Sequence, residues 1–146
     1  MRALLRPGVV FPDPDPATER AWLGAVHVLA REHGGRVVGE VQHPDAGRNH
    51  SSVVVALDRL LTVVLNTGAR LVAGLDGPLP HPAAARYVDL PHAAAFDLVG
   101  LRVARADELE EALTDDHLRA LPAQETEQVR YHRASRVGEV LVSWFD

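Results

Sequence analysis

The clearest hydrophobic pattern in the chain lies near its start. Five apolar residues recur there at intervals of three and four, which places them on one face of a helix: Ala21, Trp22, Ala25, Val26 and Leu29. Asp15 precedes this stripe as a helix-capping residue, and Pro16 suits the first helical position, where its missing N–H costs nothing. Gly34 and Gly35 follow, and glycine readily takes the left-handed conformation that ends a helix. The pattern therefore predicts one long amphipathic helix between Asp15 and the glycine pair.

The middle of the chain, residues 51–75, is almost continuously apolar, and its pattern fits two structures. As one helix starting at Ser52, it would bring valines and leucines onto a single face. The runs Val53–Val55 and Val63–Val64 favour strands instead, because branched side chains are stiff and pack well on a pleated surface. We therefore predict a meander with turns of hairpin length, whose three strands lie at 51–57, 60–66 and 69–75.

Shorter patterns predict the remaining elements. Residues 1–11 are interpreted as an opening strand in which Pro7 requires an edge position or a bulge. Further strands are predicted at 36–43, 86–90 and near 100–103, and helical segments at 106–113, within 114–123 and after Pro122. Together the elements predict a single α+β domain over residues 1–146. Its long N-terminal helix packs on a mostly antiparallel sheet of four to six strands, and short helices occupy the C-terminal third.

The tail, RVGEVLVSWFD, also fits two structures. As a strand it would place a glutamate among apolar residues on one face. As a helix it gathers its large apolar residues on one side at helical spacing. We predict a terminal helix docked on the core. The expected inward residues are Val140, Leu141 and Trp144, and the expected outward residues are Glu139 and Ser143.

The predicted middle strands are apolar on both faces. An antiparallel strand with one face in water normally alternates apolar and polar residues. Both faces of this sheet must therefore be covered, either by helices of the same chain or by a second copy. The second explanation predicts a homodimer.

Composition narrows the class of protein. The chain has 146 residues, no cysteine and a net charge of −5 with histidine neutral. Without cysteine, disulfides, thiolate nucleophiles and thiolate zinc sites are excluded. No apolar run approaches the ~20 residues that span a bilayer, and the start lacks the pattern of a signal peptide, so we expect no membrane partner and a cytoplasmic location. The negative charge and scattered arginines argue against nucleic acid as a partner, since nucleic acid requires a basic face.

One short segment contains candidate chemistry. QHPDAGRNH places His43, Asp45 and His50 within eight residues, and all three are metal-ligand types. Such a set with an open position would suit a metal-dependent hydrolase or oxidase. The spacing matches no motif of known mechanism, and Pro44 and Gly47 are turn residues. We interpret the segment as a polar turn and expect no metal or cofactor, with the three side chains as the candidate catalytic and metal-ligating residues.

These observations favour a small cytoplasmic protein-binding module without catalysis, such as an immunity-type or accessory protein of a bacterium. The grounds are the small, acidic, cysteine-free chain and its lack of a convincing catalytic set. Trp144 and Phe145 are the candidate residues for contact with the partner. Two alternatives stay open. One is a small metal-dependent enzyme centred on His43, Asp45 and His50, and the other is a homodimer that binds a small molecule between sheet and helices.

Overall fold

A computed structural model describes residues 3–45, 47–78, 86–91 and 94–143. Its helices are α1 (Pro16–Glu32), α2 (Ala94–Asp97), α3 (Ala106–Glu110), α4 (Asp115–Arg119), α5 (Ala123–Tyr131) and α6 (Val137–Leu141). Its strands are β1 (Arg36–Gln42), β2 (Ser51–Ala56), β3 (Leu60–Asn66), β4 (Leu71–Asp76), β5 (Tyr87–Val88) and β6 (Arg102–Val103). The α+β class is confirmed: an N-terminal helix packs on a mostly antiparallel sheet, and short helices follow. Among the described residues, no helix has both the length and the apolar character needed to cross a membrane.

The long helix α1 begins where the capping pattern predicts. The Asp15 carboxylate accepts hydrogen bonds from the Thr18 backbone N–H at 3.1 Å and from the Thr18 hydroxyl at 2.6 Å. Pro16 occupies the first turn, and the helix ends at Glu32, before Gly34 takes a φ of 67°. The predicted apolar stripe faces the sheet, and all of its residues except the half-buried Ala21 are buried.

The sheet has the predicted meander at its centre. β1, β2, β3, β4 and β5 pair in that order and antiparallel, and the short β6 pairs parallel with β4. In the register of the central hairpins, Val63 lies opposite both Val53 and Gly74. The alternative of one helix through the middle of the chain is therefore wrong.

Two hydrophobic clusters cover the two faces of this sheet. One combines the α1 stripe and Phe96 of α2 with alternate residues of the strands, among them Val63. The other combines the opposite face, including Val64, with the N-terminal segment and helices α3 to α6. Helices of the same chain therefore explain why the strands are apolar on both sides. Because the chain covers both faces itself, the doubly apolar strands are no longer evidence for a homodimer.

The prediction of an opening strand at residues 1–11 is wrong for the described residues 3–11. They form turns and bends with no strand pairing, and Gly8 takes a φ of 97°. Leu5, Val9 and Val10 are nevertheless buried. Their apolar character reflects packing of an irregular segment on the core. Side chains satisfy its backbone: the Gly8 N–H, for example, donates to the Glu125 carboxylate at 2.7 Å.

The tail prediction is confirmed for the helix α6 and for two of its inward residues, Val140 and Leu141, which are buried. The predicted outward placement of Glu139 is wrong: its side chain is 12% exposed, because its carboxylate accepts hydrogen bonds from the Ser135 and Arg136 backbone N–H groups at 2.6 and 2.7 Å. The outward placement of Ser143 is wrong. The helix ends at Leu141, so its period no longer applies, and Ser143 is 1% exposed. Trp144 and Phe145 lie outside the described residues.

Two helical glycines give opposite predictions for replacement by alanine. A Cβ at Gly138 of α6 would overlap the Tyr87 ring, whereas a Cβ at Gly24 of α1 meets nothing within 4 Å. We expect Gly138→Ala to cost roughly 1–3 kcal/mol of the free energy of unfolding, because overpacking forces its neighbours to move. Gly24→Ala is expected to add roughly 0.5–1 kcal/mol, since alanine loses less entropy in a helix. Urea denaturation of both variants checks the pair, and equal effects would contradict the packing of α6 on β5.

Candidate functional site

The three residues singled out from the sequence lie in different environments. His43 follows β1 with 68% of its side chain exposed, and Asp45 in the next turn is 66% exposed. His50, just before β2, is fully buried. In the part of the chain that the structure describes, no three His, Cys, Asp or Glu side chains come together as ligands for a metal ion. The structure therefore does not assemble His43, Asp45 and His50 into one site.

Arg48 makes the contacts that close the described part of the polar segment after β1. The Arg48 backbone N–H donates to the Asp45 carbonyl at 3.0 Å, and Gly47 takes a φ of 88°. The Arg48 guanidinium donates to the His43 carbonyl at 2.6 Å and lies 3.4 Å from the Asp45 carboxylate. The polar residues of this segment thus shape the turn.

His43 pairs with a residue that the sequence did not suggest. Its Nδ1 lies 2.6 Å from Oε1 of Glu19 in α1. Oε2 of Glu19 accepts a hydrogen bond from the Ser51 hydroxyl at 2.7 Å. Because Ser51 is fully buried, the Glu19 carboxylate is fixed from the core side and in turn orients the exposed imidazole. The arrangement leaves Nε2 of His43 as the nitrogen that can meet a ligand.

His50 is a core residue whose imidazole is held in the neutral form. Its Nδ1 lies 3.1 Å from Oδ1 of Asn49, and its Nε2 has no hydrogen-bond partner among the described residues. Burial, assisted by the positive charge of Arg48, lowers the pKa of His50 from 6.5 to about 3. The imidazole is therefore neutral in the folded protein at neutral pH.

Acidification is expected to destabilise the protein through His50. Folding lowers the pKa of His50, so protonation of the imidazole opposes folding. The protein is therefore at full stability above the unfolded pKa near 6.5 and loses stability as pH falls from there towards 3. One such group changes the free energy of unfolding by at most about 1.4 kcal/mol per pH unit. Urea melts from pH 7.5 to 4 should show this slope, and His50→Gln should flatten it. The same substitution at the exposed His27 serves as the control. A slope unchanged in His50→Gln would contradict the buried neutral imidazole.

Asn49 joins both ends of the described chain to the sheet. Its side-chain amide donates to the carbonyls of Val9 and Val140, both at 2.8 Å. Its side-chain carbonyl accepts the Ser143 backbone N–H at 2.8 Å. Asn49 is 4% exposed, so these bonds are shielded from water.

Asn66, at the end of β3, makes a parallel set of bonds. Its amide donates to the carbonyls of Val9 at 3.0 Å and Leu141 at 2.9 Å, and its carbonyl accepts the Ala69 N–H at 3.1 Å. Asn49 and Asn66 are neighbours because Ser51 pairs with Leu65 across the β2–β3 hairpin. The two asparagines therefore fix the N-terminal segment and the end of α6 at one edge of the core.

Two grooves open beside this fixed segment. The first has a volume of about 390 Å³ and is lined by Phe11, Arg48, Gln128 and Ser143 among others. The second has a volume of about 400 Å³ and contains His43, Glu19 and Arg20. Both share walls of proline. We call the region formed by Phe11, Pro12, Pro14 and Pro44 the proline surface.

Phe11 is the aromatic residue of this region that the sequence analysis missed. Half of it, 51%, is exposed beside the first groove, although aromatic rings are usually buried. The sequence-based candidates for partner contact, Trp144 and Phe145, fall outside the described residues. Phe11 is therefore the described aromatic side chain that a partner can reach at the proline surface.

Acidic residues surround the second groove. Asp13, Asp15 and Glu19 line it together with Arg20. The bonds from Thr18 hold the pKa of the Asp15 carboxyl below its ordinary value, so this group is ionised at neutral pH.

Comparison of the chain with known protein families, with curated proteins and with solved structures finds no match. The geometry and charge of the grooves are therefore the observations that bear on function.

Proposed function

We propose that the protein is a protein-binding module, of the immunity or accessory type, that acts in the bacterial cytoplasm and docks its partner on the proline surface. The observation that carries this proposal is the exposed Phe11, set beside a groove with proline walls. Aromatic anchors and adjoining pockets are the features from which protein interfaces draw most of their binding energy.

The proline surface is rigid before any partner arrives. Proline fixes one backbone dihedral, and Pro12, Pro14 and Pro16 alternate through the loop. One end of the loop is fixed by the bonds of Asn49 and Asn66 to the Val9 carbonyl. Beyond Phe11, the Thr67 hydroxyl donates to the Asp13 carbonyl at 3.0 Å. Binding to a preformed surface loses little conformational entropy, so a modest contact area can support useful affinity.

The charge of the surface supports a basic partner. The chain carries a net charge of −5, and the carboxylates of Asp13, Asp15 and Glu19 line the second groove beside a single arginine. Complementary charge accelerates association and selects among partners more than it raises affinity. A basic protein segment whose apolar residues meet Phe11 therefore fits the surface best.

A matched pair of variants tests the proposal. Phe11→Ser removes the exposed ring of the proline surface. Leu98→Ser removes an exposed side chain, 88% accessible, that lines neither groove. The wild-type protein, fixed to beads, should capture a partner at 0.05 M salt that then binds the purified protein at one-to-one stoichiometry. We expect Phe11→Ser to weaken this binding about tenfold or more, as the loss of an anchor does, and Leu98→Ser to leave it unchanged.

Salt gives a second readout of the same complex. Because the Debye length falls from ~10 Å at 0.1 M to ~3 Å at 1 M salt, the association rate should drop across this range. The dissociation rate should change less, since the Phe11 contact is apolar. Equal binding by both serine variants, or an association rate independent of salt, would contradict docking of a basic partner on the proline surface.

The Glu19–His43 pair favours a second candidate function, a small-molecule site in the second groove. An imidazole oriented by a carboxylate is a suitable hydrogen-bond partner or general base for a ligand. Fragment screening by NMR tests this candidate through the ring signals of His43, with the exposed His27 of α1 as the internal control. Fragments that shift His43 alone would support it. A screen in which no fragment shifts His43 would remove it.

A further inference from the structure

Three arginines converge on a small pocket on another part of the molecule. Arg6 of the N-terminal segment, Arg70 of the β3–β4 turn and Arg102 of β6 line a cavity of about 210 Å³. The remaining walls are small or apolar residues, among them Ala69 and Gly100. We call this cavity the arginine pocket. No carboxylate belongs to its lining, although acidic residues outnumber basic ones in the chain.

Bonds to neighbouring groups position each guanidinium. Arg6 donates through Nε to the Gly68 carbonyl at 2.9 Å. Arg70 donates through Nη1 to the Thr18 hydroxyl at 3.1 Å, and Arg102 donates through Nη2 to the Glu108 carboxylate at 2.7 Å. Within the described ranges, the bonds of Arg6 and Arg70 go to neutral oxygens and neither arginine forms an ion pair. Two of the three guanidinium groups therefore form no ion pair at the pocket, although the charge of Arg70 also acts on the nearby Asp15 carboxylate and helps to lower its pKa.

The backbone around Arg70 is held in an unusual conformation. Arg70 has a φ of 50°, and Arg133 is the only other described residue besides glycines with a positive φ. This region suits glycine or asparagine, because the side chain of other residues crowds the backbone. The Arg70 carbonyl accepts the Arg102 backbone N–H at 3.0 Å, which couples the two arginines. Strained backbone of this kind concentrates at functional sites.

The Arg70 guanidinium lies close to Gly100 on the opposite wall of the pocket. A Cβ built at Gly100 would lie 3.4 Å from Nη2 of Arg70, and Gly100 itself has a φ of 75°. The close approach keeps Arg70 Nη2 at the wall of the pocket. The positive charges of Arg6 and Arg70 repel each other in this small cavity, and an anion bound between them would be attracted to both.

From these observations we propose that the arginine pocket binds a phosphate group, either as inorganic phosphate or as the phosphate monoester of a small molecule. Guanidinium groups present paired N–H donors that match the oxygens of phosphate, and three of them suit a dianion better than a carboxylate of single charge. The cavity admits the phosphate group, and the rest of a larger ligand stays outside. The arginine pocket shares no lining residue with the two grooves, so phosphate binding is tested separately from the proposed protein binding.

Titration with inorganic phosphate tests the site on the whole protein. Calorimetry at low ionic strength and pH 7.5 should show one saturable site for phosphate, with acetate binding at least about tenfold more weakly because it carries half the charge. NMR signals of the arginine Nε–H groups should shift for Arg6, Arg70 and Arg102. Glycerol phosphate, titrated in parallel, distinguishes a monoester site from one that closes around free phosphate.

Arg70→Asn is the decisive variant, because asparagine tolerates the positive φ and should fold as the wild type does. We expect Arg70→Asn and Arg6→Gln each to weaken phosphate binding about tenfold or more, since each removes charged hydrogen bonds to the anion. The exposed Arg31 of α1, outside the pocket, supplies the control Arg31→Gln, which should bind as the wild type does. Phosphate and acetate bound equally, binding retained in Arg70→Asn, or equal losses in Arg31→Gln would overturn the proposal.

Discussion

Asn49→Ala is expected to reduce the free energy of unfolding by roughly 2–6 kcal/mol. The substitution leaves the Val140 carbonyl and the Ser143 N–H without the partner they have in the buried network. Each buried polar group left unsatisfied costs about 1–3 kcal/mol. Domains are stable by only about 5–15 kcal/mol, so this single change removes a large share of the total.

The control for Asn49→Ala is Gln42→Ala, because Gln42 carries the same amide on the exposed end of β1 and should change stability by less than about 0.5 kcal/mol. Asn66→Ala sharpens the test. Both asparagines donate to the Val9 carbonyl, so either single variant leaves that carbonyl one bond. The double variant leaves it none and should cost more than the sum of the singles. Additive losses of stability, or only a small loss in Asn49→Ala, would show that the two side-chain amides do not jointly satisfy the Val9 carbonyl.

Trp22→Ala is expected to cost roughly 3–5 kcal/mol, the usual range for emptying a buried tryptophan site. Trp22 is fully buried in the cluster between α1 and the sheet. Its Nε1 has no hydrogen-bond partner among the described residues, so the side chain contributes through packing alone. The loss should therefore appear as a lower urea midpoint with an unchanged m-value.

Two further variants separate packing from polarity at this position. Trp22→Phe keeps most of the aromatic volume and should cost clearly less than Trp22→Ala, since no hydrogen bond is lost. Tyr131→Ala removes an aromatic ring that is 77% exposed and should leave the midpoint almost unchanged. If Trp22→Phe proved as damaging as Trp22→Ala, the indole N–H would have to make a bond that stabilises the core.

Local patterns were sufficient to predict the elements whose signals agree with one another. The cap at Asp15, the apolar stripe and the terminal glycines all point to α1, and the structure contains it as predicted. In the middle of the chain, valine content and turn spacing correctly favoured strands over a helix. Periodicity alone fitted both structures there, because strands covered on two faces lose the alternation that normally marks them.

The predictions failed where tertiary contacts replace regular structure. Residues 3–11 look like a strand because Val9 and Val10 are apolar, yet their backbone bonds go to side chains distant in sequence. Ser143 was expected in solvent by helical period, but the helix ends at Leu141, and Asn49 binds the Ser143 N–H. These bonds link residues 40, 94 and 117 positions apart, which a local window does not detect.

The residues of the candidate site could likewise be predicted from the sequence only in part. Proximity in sequence suggested that His43, Asp45 and His50 form one cluster, yet the strand start places His50 in the core and leaves His43 outside, paired with Glu19. Asn66 did leave a trace, since it is the polar residue that ends the apolar strand β3, whereas Asn49 precedes β2 within a run of polar residues. The arginine pocket left none, because its three side chains come from segments separated by 64 and 32 positions.

Hydrogen–deuterium exchange of the protein with and without its captured partner tests the central claim, docking on the proline surface, most directly. We predict that partner binding slows exchange in peptides covering residues 8–15 and 41–49, which carry Phe11 and Pro44, beyond their protection in the free protein. Peptides around the exposed Leu98 should exchange at the same rate in both states. Protection confined to the region of Leu98, with the peptides of the proline surface unchanged, would contradict the account.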